Sequence, residues 1–324
     1  MKNIYLYVST PVILALLFTG CQSSDQQKKV GIIVPMEHKA MNEIVSGFKD
    51  TLQKNSPVPV NVKVVNAQGD MNLQRAIIQQ MKDEKYDIIT PIGTTATQMT
   101  AASVQQQAIV SIAASFTQQE RQQRKSCNIA IVHDEISSEQ IIKFIHEVYP
   151  TLTRLTLVHS ASDKVFPEVQ ESIAAGKKYG ITVTPVMVQS LNELYSASNA
   201  IANNTQGIFI LKDSLIVSGI STLALDAEKH HIPLITSDQG SVQDGAAFAL
   251  GVHERDIGVE GAKLASAVLA GKSPCDLPIV NMSKLIVFVN KSSLAKESQS
   301  MTAIQQAAKN RQYTLEAVDS VNGS

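Results

Sequence analysis

Short apolar runs alternate with amphipathic stretches along most of this chain. Residues 30–34 form a continuous apolar run, which is typical of a strand buried on both faces. Apolar residues then recur at helical spacing at Met41, Ile44, Phe48 and Leu52, which predicts a helix that buries one face. The predicted strands lie at residues 30–34, 60–65, 86–90, 108–113, 155–159, 181–188, 207–211, 232–236, 246–252 and 284–290. The predicted helices lie at residues 41–52, 73–81, 94 to about 105, 166–179, 192–203, 215–230, 258–269 and from about 292 onward.

Strands that alternate with helices predict parallel sheets, because parallel neighbours need a crossover connection. The alternation restarts after Pro150, so two series of similar length predict two lobes. We therefore expect an α/β protein with two doubly wound parallel-sheet lobes. The first lobe is expected to hold residues 30–135 and about 253–275, and the second lobe residues 136–252 and 276–324.

The first 21 residues of the chain contain a lysine followed by an apolar run that ends near a cysteine. A lysine, Lys2, precedes an apolar run at residues 11–18, and the run closes on Leu16-Leu17-Phe18-Thr19-Gly20-Cys21. This pattern is typical of a secretory signal peptide at residues 1–20. The alternative, an uncleaved membrane anchor, needs about 20 apolar residues, which is more than this run provides. The ending resembles the lipobox of bacterial lipoproteins, in which Cys21 would carry a lipid, and polar residues 21–29 are expected to form a tether.

Composition adds limits to this picture. A hydrophobic content of 44% and a charged content of 18% are ordinary for a globular protein with a core. The net charge of −1 gives no basic footprint for nucleic acid. Cys127 and Cys275 remain if Cys21 is lipidated, and outside the cytoplasm they either form a disulfide or stay as buried thiols.

Several motifs of catalysis and cofactor binding are missing from the sequence. Gly271-Lys272-Ser273 resembles the end of a phosphate-binding loop, but it follows a predicted helix rather than opening one. There is no G-x-G-x-x-G after the first strand and no G-x-S-x-G elbow, so neither a dinucleotide cofactor nor a serine nucleophile is expected. No metal site is expected either. The polar run at residues 118–125 is expected to be a solvated surface segment.

The candidate ligand-binding residues follow the predicted strands. Ligands of doubly wound sheets bind at the carboxyl ends of the strands, and two facing lobes would line one cleft there. The candidates at these positions are Glu37, His38, Thr94, Thr95, Ser115, Phe116, Ser162, Asp163, Asp213, Ser214 and Asp238.

Each candidate has a possible ligand role and a structural alternative. Thr94 and Thr95 open a helix, where backbone N–H groups favour a carboxylate, although the same residues could simply cap that helix. Asp213 and Asp238 could accept hydrogen bonds from a ligand ammonium group, or could cap helices or support a hinge. Phe116 could stack on an apolar ligand or pack inside its lobe.

Six stretches of the sequence carry a resemblance to a known family. They lie at residues 37–40, 47–50, 66–70, 87–89, 92–96 and 232–246. They resemble the ABC-transporter substrate-binding proteins of the type I periplasmic-binding fold, in the group that includes tryptophan and other aromatic amino-acid binders. The resemblance implies two lobes joined by about three hinge strands, a small ligand, and a membrane permease driven by a cytoplasmic ATPase.

The chain also departs from the family's usual pattern. Lys39 stands where the family usually has proline, and residues 114–117 stand where it usually has Asp-Pro. The second-lobe loops carry Ser162-Asp163 near the usual Asn-Ser, and Asp213-Ser214 in place of Asp-Asn. Because several polar positions differ, the resemblance does not fix the ligand.

Several classes of function remain to be distinguished. The leading expectation is a lipid-anchored, extracytoplasmic binding component of an ABC importer that closes on an amino acid. The alternative is a lipoprotein that presents its ligand to a signalling receptor, which neighbouring sensor genes would favour. An enzyme on the same scaffold is disfavoured by the missing motifs, and a repressor by the export signal at the N-terminus.

Overall fold

The computed structural model describes residues 27–37, 39–162, 165–297 and 300–319 of the chain. The strands in chain order are β1 (Lys28–Val34), β2 (Val60–Asn66), β3 (Ile88–Pro91), β4 (Ala108–Ile112), β5 (Ile129–His133), β6 (Arg154–Ser160), β7 (Thr182–Val188), β8 (Ile208–Ile210), β9 (Leu234–Thr236), β10 (Phe248–Gly251), β11 (Val280–Asn281), β12 (Ile286–Val289) and β13 (Thr314–Ala317). The helices are α1 (Lys39–Asn55), α2 (Met71–Asp83), α3 (Thr94–Ser103), α4 (Gln118–Gln123), α5 (Ser138–Val148), α6 (Phe166–Lys178), α7 (Leu191–Asn203), α8 (Ser214–Ser218), α9 (Ile220–His230), α10 (Gln239–Gln243), α11 (Glu254–Leu269), α12 (Lys291–Lys296) and α13 (Met301–Arg311).

The strands form two separate sheets, one in each lobe. The first sheet has the order β11-β5-β4-β3-β1-β2, and its neighbouring strands are parallel. The second has the order β13-β12-β10-β9-β8-β6-β7 and is parallel except between β10 and β12. The prediction of two doubly wound α/β lobes is therefore confirmed.

Helix α11 returns to the first lobe and packs directly on α1. Gly258 of α11 lies so close to α1 that a Cβ atom there would overlap the carbonyl oxygen of Ile44. Gly47 of α1 makes the reciprocal approach to the carbonyl oxygen of Arg255. The absence of side chains at both positions lets the two backbones approach closely and covers Phe48, which is fully buried in the core of this lobe.

The chain passes between the lobes at three places. The first crossing lies between β5 and α5, because α5 packs on α6 and α13 of the second lobe. The second joins β10 to α11, and the third joins β11 to β12. We expected the last return to the second lobe at about residue 276, but β11 pairs with β5 of the first sheet, which moves that crossing beyond Asn281.

The hydrophobic pattern missed several elements. It predicted nothing between residues 114 and 154, where the structure has α4, β5 and α5. Strand β5 is short and directly follows a long polar segment without helical spacing, so the alternation of strands and helices does not mark it. One helix was expected at residues 215–230, but α8 and α9 are separate and meet at Gly219. The final predicted helix is two helices followed by β13.

The polar run at residues 118–125 is largely exposed, as expected, but it is also anchored to the first lobe. It forms α4, which opens with a capping box between Thr117 and Glu120. Arg121 is 7% exposed, and its guanidinium donates to the carbonyl oxygens of Leu277, at 3.0 Å, and Cys275. Arg124 donates to the carbonyl oxygen of Val104 at 3.1 Å. Both arginines therefore tie this segment into the first lobe.

Cys127 and Cys275 form a disulfide, which settles the alternatives left open by the sequence. Their Cα atoms lie 5.4 Å apart, and the bond spans 148 residues of sequence. It joins the segment before β5 to the 3₁₀ turn at Pro274–Asp276, just before β11. The disulfide and Arg121 thus hold the last first-lobe segment at the same edge of the sheet.

No helix within the described residues is long and apolar enough to cross a membrane. The expected signal peptide at residues 1–20, Cys21 and most of the expected tether lie outside the described residues.

Candidate functional site

A cavity of about 270 Å³ lies between the two lobes, at the carboxyl ends of the strands. The first lobe contributes most of its apolar wall, and the second contributes the ends of β8 and β9 with helix α8. The lining residues are Pro35, Met36, Glu37, Ala40, Met41, Ile44, Ile92, Gly93, Thr94, Thr95, Ala96, Ala113, Asp134, Lys212, Val217, Ser218, Asp238 and Glu254.

The first turn of α3 forms one polar wall of the cavity. The cap position is Gly93, whose φ of 87° is readily available only to glycine, and no side chain caps the helix. The first backbone N–H groups of a helix have no intrahelical acceptor, so this turn presents donors and a partial positive charge to the cavity. Thr94 Oγ1 accepts a hydrogen bond from Ser115 N at 3.0 Å, which fixes the start of α3 against the end of β4.

Ala113 lies between β4 and this wall in an uncommon backbone conformation. Its φ is 53°, in the left-handed region that an alanine rarely adopts. Such positions cluster at sites where the surrounding structure imposes them. The turn at Ala113 directs residues 114–116 away from the sheet and leaves Ala113 itself in the cavity wall.

A buried charge cluster forms a second polar part of the cavity wall. Lys212 Nζ lies 3.0 Å from Glu254 Oε1 and 3.3 Å from Asp134 Oδ2. Lys212 follows β8 in the second lobe. Asp134 lies where the chain leaves the first lobe after β5, and Glu254 lies where the chain returns to it at the start of α11. The cluster therefore links the lobes at the floor of the cleft, where the chain crosses between them.

The protonation of this cluster follows from its burial and its charges. Burial alone would lower the pKa of Lys212, but the charges of Glu254 and Asp134 outweigh it and raise the pKa above its usual value. Burial raises the pKa of Glu254, against the opposing effect of Lys212. The lysine is therefore charged at neutral pH and pairs with both carboxylates.

Four of the residues predicted from sequence line the cavity, namely Glu37, Thr94, Thr95 and Asp238. Glu37 lies at the exposed rim, where its carboxylate accepts hydrogen bonds from Asn66 at 2.9 Å and Asn42 at 3.2 Å. Asp238 is buried and caps α10, because its carboxylate accepts from the backbone N–H and the hydroxyl of Ser241. Asp238 therefore both caps α10 and lines the cavity.

Other predicted residues do not line the cavity. The carboxylate of Asp213 accepts from Ser160 N at 2.6 Å and Leu215 N at 3.1 Å, so it caps α8. Phe116 is 5% exposed and packs in the core of the first lobe. Ser115 holds Thr94 through its backbone N–H. Ser162 is exposed beyond the end of β6, where its N–H donates to Ser160 Oγ at 3.3 Å.

Three predicted positions are not described in full. His38 and Asp163 lie outside the described residues, and the side chain of Ser214 is also outside them. Their assignment as ligand contacts stays a prediction.

Sequence reasoning missed the charge cluster. Asp134 follows β5, a strand that the pattern did not reveal, and Glu254 is the first residue of α11. Lys212 stands at a strand end that was recognised, but its neighbours Asp213 and Ser214 were chosen instead. The signal that could have found it is the rarity of a lysine directly after a buried apolar strand, since buried lysines are normally paired.

Two doubly wound lobes, three crossings and a cavity between facing strand ends form the architecture of a two-lobed ligand-binding protein. The family model described as ABC transporter substrate binding protein matches residues 29–309, and this chain belongs to that family. Members of the family bind small molecules outside the cytoplasm and typically work with an ABC permease. They are binding proteins rather than enzymes, as the sequence led us to expect.

Two relatives match nearly the whole chain. An uncharacterised protein of Rickettsia prowazekii (strain Madrid E) is 39% identical over 285 residues, which cover 88% of this chain and 90% of that protein. A tyrosine-binding protein of Clostridioides difficile (strain R20291) is 23% identical over 327 residues, covering 93% of this chain and 94% of that protein.

Solved structures show the same fold. An ABC domain from Streptococcus pneumonia in complex with L-Trp has a TM-score of 0.78 at 21% identity, and the match covers 90% of this chain and 100% of that one. A conserved domain protein from Vibrio cholerae has a TM-score of 0.79 at 21% identity with the same coverage. At these identities the likeness concerns the fold.

Proposed function

We propose that this protein is the lipid-anchored binding component of an ABC importer and that it takes up an amino acid in the cavity between its lobes. The observation that carries the proposal is the presence of two polar walls of opposite character in one cavity. The first turn of α3 offers N–H donors, and an acidic wall is formed by Asp134, Asp238 and Glu254. These walls complement the carboxylate and the ammonium group of a zwitterion.

The proposed binding mode assigns a role to each wall. The ligand carboxylate would accept hydrogen bonds from the N–H groups at Thr94 and Thr95, and the ligand ammonium would lie against the acidic wall. Because the first wall belongs to one lobe and Asp238 to the other, a bound amino acid would hold both lobes at once. Ligand binding would then shift the population toward the closed form, which is the form a permease can recognise.

The relatives support the ligand class. The Clostridioides difficile relative is a tyrosine-binding protein, and the Streptococcus structure contains L-Trp. Both ligands are α-amino acids, which share the carboxylate and the ammonium group whatever their side chain. The cavity polar groups of this protein match that shared part.

The proposed anchor rests on the sequence before the fold. Residues 11–21 have the apolar run and the cysteine ending of a lipoprotein signal, and only a short polar stretch separates Cys21 from β1. A tether of this kind would keep the binding protein near its permease and raise its effective concentration there.

We expect the backbone of α3 to carry much of the affinity for the carboxylate. Thr94→Pro removes the N–H of the first helical residue, a position where proline is tolerated. Thr94→Ala removes the same hydroxyl but keeps that N–H, so it is the matched control. The expected result is amino-acid binding at least about tenfold weaker in the proline variant than in the alanine variant, since a hydrogen bond to a charged group contributes about 1.5–3 kcal/mol.

The measurement is isothermal titration calorimetry, after a thermal-shift screen of the twenty amino acids has found the ligand. A ligand at about 100 times its Kd should add about 2.7 kcal/mol to the stability of the folded protein. Equal affinities of the two variants would mean that the ligand carboxylate does not bind at the first turn of α3. A screen in which only sugars or nucleosides stabilise the protein would contradict the amino-acid proposal itself.

A further inference from the structure

A hydrogen bond joins the two lobes at the rim of the cleft, apart from the charge cluster at its floor. The ammonium group of Lys39 donates to the side-chain oxygen of Gln243. Lys39 is the first residue of α1 in the first lobe, and Gln243 is the last residue of α10 in the second lobe. The contact therefore spans the cleft and connects residues that lie 204 positions apart in the sequence.

Both residues stand next to the wall of the cavity without forming part of it. Lys39 is exposed and lies between Glu37 and Ala40, which line the cavity. In the facing lobe, α10 begins after Asp238, which also lines the cavity. Lys39 and Gln243 are not among the described residues of the cavity wall. The two residues therefore act on a bound molecule only through the lobes that they join.

The contact lies away from the crossings that follow β5 and β11. In the first sheet, β1 is separated from β5 by β4 and β3, and β11 lies beyond β5. Neighbouring strands are about 4.8 Å apart, which places the end of β1 about 14 Å from that of β5. When two lobes rotate about a hinge, points far from the hinge move apart the most. A bond at Lys39 is therefore broken early when the lobes separate, whereas the Lys212 cluster lies where the chain crosses.

The chemistry of the contact suits a bond that forms and breaks. Lys39 is exposed and Gln243 is partly buried, so water replaces each partner when the lobes separate. The charge of the lysine strengthens the bond, but the amide is neutral, so the bond is weaker than an ion pair with a carboxylate. Lys39 also stands where the family usually has proline, which could not donate this bond.

We infer that Lys39 and Gln243 form a latch that favours the closed form of the two lobes and slows the release of a bound amino acid. Both are positioning residues, because neither lines the cavity. This inference rests on the proposed amino-acid function and adds the contact that controls retention. A latch of this kind changes the rate of release more than the rate of entry, because its bond exists only when the lobes are together.

The first test measures closure of the lobes and needs no bound molecule. Gln243→Glu gives Lys39 a carboxylate partner, so it is expected to favour the closed form. Lys39→Met removes the donor and is expected to favour the open form. Small-angle X-ray scattering should give a smaller radius of gyration for Gln243→Glu than for Lys39→Met. In the double variant the new carboxylate has no partner, so its radius of gyration should equal that of Lys39→Met.

The second test measures retention. Each protein is loaded with a radiolabelled mixture of the twenty L-amino acids, and release is followed after an excess of the unlabelled mixture is added. Release is expected to be at least about threefold faster than wild type in Lys39→Met and at least about threefold slower in Gln243→Glu. The double variant should match Lys39→Met, and Lys39→Arg, which keeps a cationic donor, should restore slow release.

Two variants serve as matched controls. Lys54→Met removes an exposed lysine from the last turn of the same helix, α1. Gln305→Glu adds a negative charge at an exposed position of α13 in the second lobe. Both controls should keep the radius of gyration and the release rate of the wild type.

The outcomes separate the latch from the function on which it rests. If Gln243→Glu has the same effect with and without Lys39, the two residues do not act as a pair and the latch is overturned. Equal radii of gyration for Gln243→Glu and the wild type overturn it as well, and this comparison holds even if Lys39→Met fails to fold. If no protein retains labelled amino acid, the amino-acid function is wrong, and the radii of gyration still decide whether the latch exists.

Discussion

Replacement of Lys212 by methionine is expected to lower the free energy of unfolding by about 3 kcal/mol at pH 7. The methionine keeps the length of the side chain but leaves Asp134 and Glu254 buried without their positive partner. Breaking a buried ion pair by removing one member costs about 3–5 kcal/mol. We expect the lower end of that range, because the Lys212 side chain keeps 20% of its exposure in the cavity.

The loss should depend on pH in a defined direction. Burial already raises the pKa of Glu254 in the folded wild type, and removing Lys212 takes away the positive charge that opposes this rise. A carboxyl group whose folded-state pKa is raised destabilises the fold when it is ionised, and the penalty declines as the pH falls from that folded-state pKa toward the unfolded pKa, near 4. The difference between wild type and variant should therefore be largest at pH 7 and shrink toward pH 4.

Urea unfolding at several pH values measures both effects. The control is the triple variant Lys212→Met, Asp134→Asn, Glu254→Gln, which removes all three charges and should regain most of the lost stability. If Lys212→Met lowers the free energy of unfolding by less than about 1 kcal/mol at pH 7, the three charged groups behave like solvated surface ion pairs and not like a buried cluster.

Removal of the disulfide is expected to cost about 2–5 kcal/mol of unfolding free energy. The bond between Cys127 and Cys275 closes a loop across 148 residues of sequence. Long loops gain most from a cross-link, because the unfolded chain loses more conformational freedom when they are closed. The loss is expected to fall first on the segment from the 3₁₀ turn to β11, which the bond holds beside β5.

The measurement compares urea unfolding of the oxidised protein with that of the variant Cys127→Ser, Cys275→Ser. Hydrogen exchange should show the backbone of β11 opening more often in the variant. Reducing agent should lower the stability of the wild type toward the variant and leave the variant unchanged. An equally stable variant would mean that Arg121, through Cys275 and Leu277, holds this segment without the cross-link.

Most of the fold could be predicted because the apolar pattern of each strand or helix lies within one short segment of the sequence. The run at residues 30–34 became β1, and the spacing of Ile44, Phe48 and Leu52 became the buried face of α1. The short strand β5 was missed because the polar segment before it has no helical spacing and interrupts the alternation of strands and helices. The break between α8 and α9 depends on packing, because Gly219 lies against Leu194 of a different helix.

The site residues could be predicted where their position at a strand end is enough to place them in the cavity. They could not be predicted where the side chain's orientation or a partner distant in sequence determines whether they line it. Thr94 and Asp238 line the cavity because they follow parallel strands of facing lobes. At the end of β8, however, Lys212 lines the cavity and Asp213 caps a helix, and sequence does not tell which of two neighbours turns inward. The pairing of Lys212 with Asp134 and Glu254 joins three remote segments, and no local pattern encodes it.

The three crossings also govern the order in which the chain can fold during synthesis. When the ribosome has made the residues up to β10, the first lobe still lacks α11, β11 and Cys275, and the second still lacks β12 and β13. Neither lobe can bury its core at that stage, because contacts between distant segments must wait for both partners. Both lobes therefore reach their complete cores only near the end of synthesis, and the cleft between them forms in the same late step.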